Sequence, residues 1–303
     1  MPSQHFASPI EALPIFYDDR MVADIESFSP SAGKPHAALA SWQCLGLPLE
    51  IRTPEPVTRE QLTLAHDLAY VDGVLAGTSR NGFGNTHSAV TASLPWTTGA
   101  MLSAARAAIS NGRIAVAPCS GFHHAGYSSG GGYCTFNGLM VTALALLRKN
   151  DVARVGILDC DHHYGDGTDD ILRELGLGAE IVHYSAGAKW CQKSEAKSFL
   201  RELKAIVHMF DGCGVILYQA GADPHVDDPL GGWLTTDEIA ERDRIVFDTA
   251  AKLGIPVAWN LAGGYQTPLR RVLDIHDNTL RACAAIHLTD KVGQALATEG
   301  DLP

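Results

Sequence analysis

The sequence predicts an α/β fold of three layers, with helices on both faces of a mainly parallel central sheet. Two observations predict it. Short apolar runs alternate with longer stretches of helical period along the chain, the pattern of strands joined by crossover helices. Gly-rich polar segments follow four of those runs, at the sheet edge where open α/β folds bind ligands. No composition shift, repeat or low-complexity linker divides the 303 residues, so a single domain is expected across 1–303.

Strands are expected at 15–17, 114–117, 155–158, 181–184, 215–219 and 257–261, each a short apolar run. Helical periodicity covers 59–76, 97–110, 137–148, 168–174, 194–210 and 236–253. Thr236, with Asp237 and Glu238 behind it, reads as an N-cap followed by first-turn acids. Gly254 closes that helix and Pro256 opens the next strand. The Gly-rich segments are 121–138, 159–167, 220–232 and 262–266.

Composition narrows the function. The charge is −11, from 23 Lys and Arg against 34 Asp and Glu, which disfavours a protein that binds nucleic acid by neutralising phosphates. Residues 1–13 lack a basic region followed by an apolar core, and the longest apolar stretch, 139–147, is too short to cross a bilayer. The seven cysteines show no CxxC pairing. Buried free thiols in a reducing cytoplasm are the expectation.

The chemistry gathers in the glycine-rich segments. In Asp159-Cys160-Asp161-His162-His163, strand alternation would turn Asp159, Asp161 and His163 to one side. Two carboxylates and an imidazole in one place call for a compensating cation. One Asp and one His from this run, with Asp223 from the end of the next strong strand, would make a three-ligand site with an open position, as in catalytic zinc centres. The tandem His123-His124 could reach the same edge, and one ring could take a proton from a bound water. Each would need a carboxylate on its second nitrogen, and Asp159 and Asp166 are spare acids for that task. Tyr265 follows Gly263-Gly264, whose freedom lets the chain turn sharply beside a ligand. Its phenol could donate to an oxyanion.

With these motifs in hand, the chain resembles the zinc-dependent histone deacetylase superfamily, including the acetylpolyamine amidohydrolases, within the arginase–deacetylase fold. The resemblance runs over about 14–288 in family order: 58–77 with His66 and Tyr70-Val71; His123-His124-Ala125; Gly131-Gly132-Tyr133-Cys134-Thr135-Phe136-Asn137; 159–168; 221–235; and 261–265. The stretch Asp228-Pro229-Leu230-Gly231-Gly232 is especially similar to class II deacetylases. The resemblance implies one Zn2+ per chain on Asp161, His163 and Asp223. It makes His124, paired with Asp166, the general base and then acid, and His123, paired with Asp159, its electrostatic partner. Tyr265 becomes the oxyanion donor. A structural monovalent cation, K+ or Na+, would lie on Asp159, Asp161, His163 and Ser185, partly through backbone carbonyls. Phe122, Gly132, Tyr133, Gly263 and Gly264 would line the substrate path.

Several positions depart from the family pattern. Phe122 stands where Gly is usual and would narrow the inner pocket toward small acyl groups. His162 replaces an apolar residue between two ligands. After Ser185 the chain reads Ala186-Gly187-Ala188-Lys189-Trp190 in place of the family's Pro-Gly-rich loop, with Trp190 a candidate for the tunnel wall opposite Tyr133. No Asp or Glu lies between Arg80 and Trp96 to grip a peptide. A small acylated amine is therefore favoured over a structured acetyl-lysine tail, and polyamine-type relatives leave room for a homo-oligomer. Two other readings are a non-catalytic binding or scaffold member of the fold and an arginase-like dimanganese ureohydrolase. The latter needs further Asp ligands, whereas Asp223-Pro224-His225 offers one well-placed carboxylate ahead of Asp227-Asp228.

Overall fold

A computed structural model describes residues 9–289; positions 1–8, part of the stretch read for a leader, and 290–303 lie outside the described residues. The strands are β1 (Leu13–Phe16), β2 (Leu49–Arg52), β3 (Ile114–Ala117), β4 (Val155–Asp159), β5 (Ile181–Ser185), β6 (Val215–Gly221) and β7 (Val257–Ala262). They form one sheet in the order β2-β1-β3-β7-β6-β4-β5, and every pairing is parallel. All residues of β3, β4, β6 and β7 are buried, as a parallel sheet covered on both faces requires.

The helices are α1 (Lys34–Gln43), α2 (Arg59–Leu62), α3 (Leu68–Leu75), α4 (Ser88–Asn111), α5 (Gly138–Lys149), α6 (Asp166–Glu174), α7 (Ala196–His208), α8 (Thr236–Leu253) and α9 (Arg270–His287). The series α4–α5–α6 packs together, and α7–α8–α9–α1 forms a second series. These supply the two outer layers.

The six expected strands are present with shifted ends, and β2 is an addition. Its four residues, Leu49-Glu50-Ile51-Arg52, alternate apolar and polar over too short a stretch between Pro48 and Pro54 to stand out, are mostly exposed, and Glu50 and Arg52 keep this sheet edge polar. The pattern over 59–76 is two helices, because Asp67 breaks the run and caps α3 by accepting from the Tyr70 N–H. Helix α4 starts nine residues before the expected 97 and runs through Pro95. The cap of α8 is Thr235, not Thr236: the Thr235 hydroxyl and the Glu238 side chain form a reciprocal box. Gly254 closes α8 in the left-handed region at φ 70°.

The order β3-β7-β6-β4 makes four consecutive neighbours of the strands that carry the Gly-rich segments. Their carboxyl ends therefore open onto one shared edge. Two anchors fix the 121–137 loop over that edge. His66, buried before α3, donates from Nδ1 to the Gly126 carbonyl (2.8 Å) and accepts the Asn137 N–H at Nε2 (2.8 Å). The Tyr70 hydroxyl donates to the Thr135 carbonyl (2.7 Å). Burial pushes His66 down to about 4, so its ring is neutral.

Candidate active site

Strand β4 stops at Asp159, so the alternation expected to align Asp159, Asp161 and His163 does not extend to the last two. A chain of backbone donors shapes the turn instead. The Asp161 N–H donates to Asp159 Oδ1 (3.1 Å), the His163 N–H to Asp161 Oδ1 (2.9 Å) and the His162 N–H to Asp223 Oδ1 (3.1 Å). The last of these ties the end of β4 to the end of β6. Donor atoms of Asp161, His163 and Asp223 consequently lie within 4.8 Å of one another, and no second such group is found among the described residues. Asp159 stays behind them, out of the trio.

Electrostatics mark the trio as a cation site. Asp161 and Asp223 are both buried. Burial, with repulsion from Asp161, pushes the Asp223 carboxyl up to about 7. Contacts with Asp161 and Asp223 drive His163 up to about 10. Two crowded carboxylates beside an imidazole thus form a negative environment that a divalent cation could compensate. Two carboxylates and one imidazole are a donor set that suits zinc and leaves a coordination position open.

Both histidines of the tandem pair reach this centre, each held by its own acid. His123 Nδ1 is 2.8 Å from Asp159 Oδ2, and its Nε2 is 3.7 Å from Asp161 Oδ1. His124 Nδ1 is 2.6 Å from Asp166 Oδ1. The two rings are 4.1 Å apart between centroids, and His124 lies 5.8 Å from His163. Burial works against charge on His123, but Asp159, Asp161 and Asp223 outweigh it and raise the ring to about 9. Burial and then the His123 charge pull His124 below its ordinary range, against the opposing effect of Asp166. The two neighbouring rings are thus pushed in opposite directions, His123 up and His124 down.

Tyr265 faces the same cavity, which Asp161, His123, Gly132, Tyr133 and Gly263 also line. Burial, then the charges of Asp161 and Asp223, hold its phenol far above the usual range. It is a donor at any working pH. Asp228 fixes the turn by accepting the Tyr265 N–H at Oδ2 (2.8 Å) and the Leu230 N–H (3.0 Å). Two glycines are required by contact. A Cβ on Gly132 (φ +54°) would lie 2.5 Å from the His124 ring, and one on Gly263 (φ +49°) would lie 2.2 Å from the Asp223 carboxyl. Tyr133 itself holds a left-handed φ of 64°, and its ring lies 6.0 Å from that of Tyr265.

The remaining expectations meet a mixed outcome. Phe122 does not line the cavity that contains Asp161 and Tyr265. Its ring turns toward Gly138 and lines an adjoining cavity with Met21, Phe83 and Leu94. Trp190 is not a tunnel wall, because it is buried, packs on Phe199 and donates from Nε1 to the Tyr184 hydroxyl (2.8 Å). His162 packs against Gly231 and accepts the Gly232 N–H at Nδ1 (3.4 Å). Ser185 Oγ meets Asp159 Oδ2 at 3.3 Å. All seven cysteines are free; five are buried, but Cys44 and Cys191 are exposed. Among the described residues no helix is long and apolar enough to cross a membrane.

Two buried cations at the site have no signal in the sequence. Lys34, at the start of α1, is 1% exposed. Its ammonium donates to Ser120 Oγ (3.2 Å) and to the Gly263 carbonyl beside the catalytic cavity. Burial brings it down to about 8 against the pull of Asp223, Asp161 and Asp228. Arg242, inside α8, donates from Nη1 to the carbonyls of Cys160 (3.1 Å) and Gly221 (2.7 Å). It clamps the ends of β4 and β6 from behind. Both residues sit within helices whose sequence reads only as structure.

A fully parallel α/β sheet thus brings a carboxylate–imidazole cluster, two acid-held histidines and a partly buried phenol to its carboxyl edge. The family model described as the histone deacetylase domain matches residues 34–186 and 178–280, and the chain belongs to that family. An uncharacterized protein of Picosynechococcus sp. is 26% identical over 79% of this chain and 87% of its own length. The acetylpolyamine amidohydrolase of Mycoplana ramosa is 29% identical over 48% of this chain, a match that spans 50% of that enzyme. The match to histone deacetylase 2 of Arabidopsis thaliana, at 29% identity, spans 44% of it. In structure, the acetylpolyamine aminohydrolase of Burkholderia pseudomallei superposes with a TM-score of 0.71 over 91% of this chain and 99% of that one, at 16% identity. The HDA15 HD domain gives 0.72 over 91% and 92%, at 18% identity. These two likenesses establish the arginase–deacetylase fold.

Proposed function

We propose that the chain is a zinc-dependent amidohydrolase that removes an acetyl group from an acylated amine, within one catalytic domain spanning about 14–288. One observation carries this reading: three metal donors lie within 4.8 Å of one another, two neighbouring imidazoles hydrogen-bonded to separate carboxylates stand beside them, and a partly buried phenol lines the cavity that Asp161 and His123 share. Asp161, His163 and Asp223 would hold the metal. When bound, zinc supplies Lewis acidity, lowering the pKa of water toward about 7 and polarising a carbonyl.

His124 takes the proton from the attacking water and returns it to the departing amine, with Asp166 fixing its tautomer. His123, oriented through Nδ1 by Asp159, stabilises negative charge as it develops. Tyr265 donates its hydroxyl to the acyl oxygen, a contact that strengthens as that oxygen gains charge. Gly263 and Gly132 let Asp223 and His124 approach, and Tyr133 walls the path of the amine. Ser185, Asp159 and the carbonyls of Asp161 and His163 would hold a structural monovalent cation; support comes from the Ser185–Asp159 contact. The Mycoplana relative's name, acetylpolyamine amidohydrolase, together with the charge of −11, favours small cationic amines as substrates.

The test is acetate release by zinc-loaded protein from acetylputrescine, acetylspermidine and an acetyl-lysine peptide. Tyr265→Phe should lower kcat by about 10²–10³ while zinc content stays at one per chain. Absence of hydrolysis with zinc bound, or an unchanged rate in the variant, would reject the reading.

A further inference from the structure

Phe28 is the most exposed large apolar side chain among the described residues, at 61%. It is nonetheless placed with care. Its ring stacks on Tyr265, with centroids 5.9 Å apart and planes inclined by 19°. Tyr133 also neighbours Tyr265, its ring 6.0 Å away and braced edge-on by Phe83 at 5.6 Å.

The loop that carries Phe28 is anchored at both ends. The Ala23 N–H donates to the Ala32 carbonyl (3.0 Å), which closes its base. Immediately after Phe28, buried Ser29 accepts the Ser31 N–H (3.3 Å) and donates to the Ser31 hydroxyl (3.0 Å). Ser29, Ser31 and Lys34 then line the same cavity as Asp161 and Tyr265. The loop is therefore a continuation of the site wall, and Phe28 stands at its outer end. An exposed aromatic ring held on a rigid loop leaves apolar surface in water that a ligand could cover.

We infer that Phe28 is a substrate-binding residue that forms the wall opposite Tyr133, so that the aliphatic chain of an N-acylated amine lies between the two rings. This rests on the deacetylase reading above. Tyr265 must reach the acyl oxygen, so the methylenes attached to the amide nitrogen pass close to the Tyr265 ring and to what stacks on it. The position after Ser185 does not provide this wall, because Trp190 is turned into the core. The ligand chemistry is a linear alkyl linker, whether it belongs to a polyamine or to a lysine side chain.

The test compares wild-type protein, Phe28→Ala and Phe28→Tyr, all zinc-loaded. Calorimetry would give the affinity of each for acetohydroxamate, which has no linker, and for octanohydroxamate, which has one. Phe28→Ala should weaken octanohydroxamate about tenfold, the effect of losing contact with roughly two methylenes, and leave acetohydroxamate unchanged. Phe28→Tyr should restore the long-chain affinity. No loss in Phe28→Ala, or equal loss for both ligands, would overturn the proposal. In kinetics, Phe28→Ala should raise KM about tenfold with kcat preserved. Acetylputrescine and an acetyl-lysine peptide, run side by side, identify which source of the linker the wild type uses. Failure of the wild type to hydrolyse either would reject the deacetylase reading, and the hydroxamate pair would still decide the role of Phe28.

Discussion

In the proposed mechanism, His124 divides labour between its two nitrogens. Nδ1 is committed to Asp166 at 2.6 Å, so Nε2 is left for water. Because burial and the His123 charge hold His124 below its ordinary 6.5, it stays neutral as pH falls through that value. The acid limb of kcat/KM is therefore expected below pH 6.5. Asp166 favours the protonated ring, so Asp166→Asn should move that limb to still lower pH and reduce kcat about 10–100-fold; a pH–rate profile of both proteins checks the direction. Asp223 has a different role, and its loss should be felt in metal affinity first. Asp223→Asn should weaken zinc by more than about a hundredfold, beyond the effect of removing an outer partner, as read by competition with a chromogenic chelator.

At the scale of elements, the site depends on turns more than on strands. Gly263 illustrates it, since its left-handed backbone leaves no room for a Cβ beside Asp223. Gly263→Ala should cost about 1–2 kcal/mol from the backbone alone and should also lower zinc stoichiometry, measurable by urea unfolding and metal analysis. The buried strands β3, β4, β6 and β7 were legible because each is a compact apolar run. Edge strand β2 was not, because its alternation spans only four mostly exposed residues between Pro48 and Pro54. Trp190 was misread for a related reason, since its position in the chain suggested the tunnel while its contacts with Tyr184 and Phe199 lie in the core. Residue types at the ends of buried strands disclosed Asp161, His163, Asp223 and Tyr265. Lys34 and Arg242 went unseen, because a cation within a helical pattern reads as solvated until the tertiary structure buries it.

Across the whole molecule, three histidines are buried in neutral form and bear on acid stability. Burial lowers His66 to about 4, His287 to about 3, and His276 well below its ordinary value. Unfolded, each would protonate near 6.5, so the unfolded state binds more protons below that pH. Stability should therefore decline as pH falls from about 6.5 toward 4, by about 2 kcal/mol for His66 alone at pH 5. His123 is shifted upward and completes its own change above pH 6.5, so it does not offset this loss. Urea unfolding at pH 7 and pH 5 measures the effect, and His66→Gln should flatten the dependence while weakening the 121–137 loop.

The tie between the ends of β4 and β6, through His162 N–H and Asp223 Oδ1 and through Arg242 behind them, also has a consequence in time. Residues 161 and 163 leave the ribosome about sixty residues ahead of 223, so a growing chain offers only half a site until β6 has emerged and found its place beside β4. On the zinc reading proposed above, metal capture is then a late event that follows sheet closure. A chelator present only during refolding should leave the refolding rate nearly unchanged while setting how much active protein results.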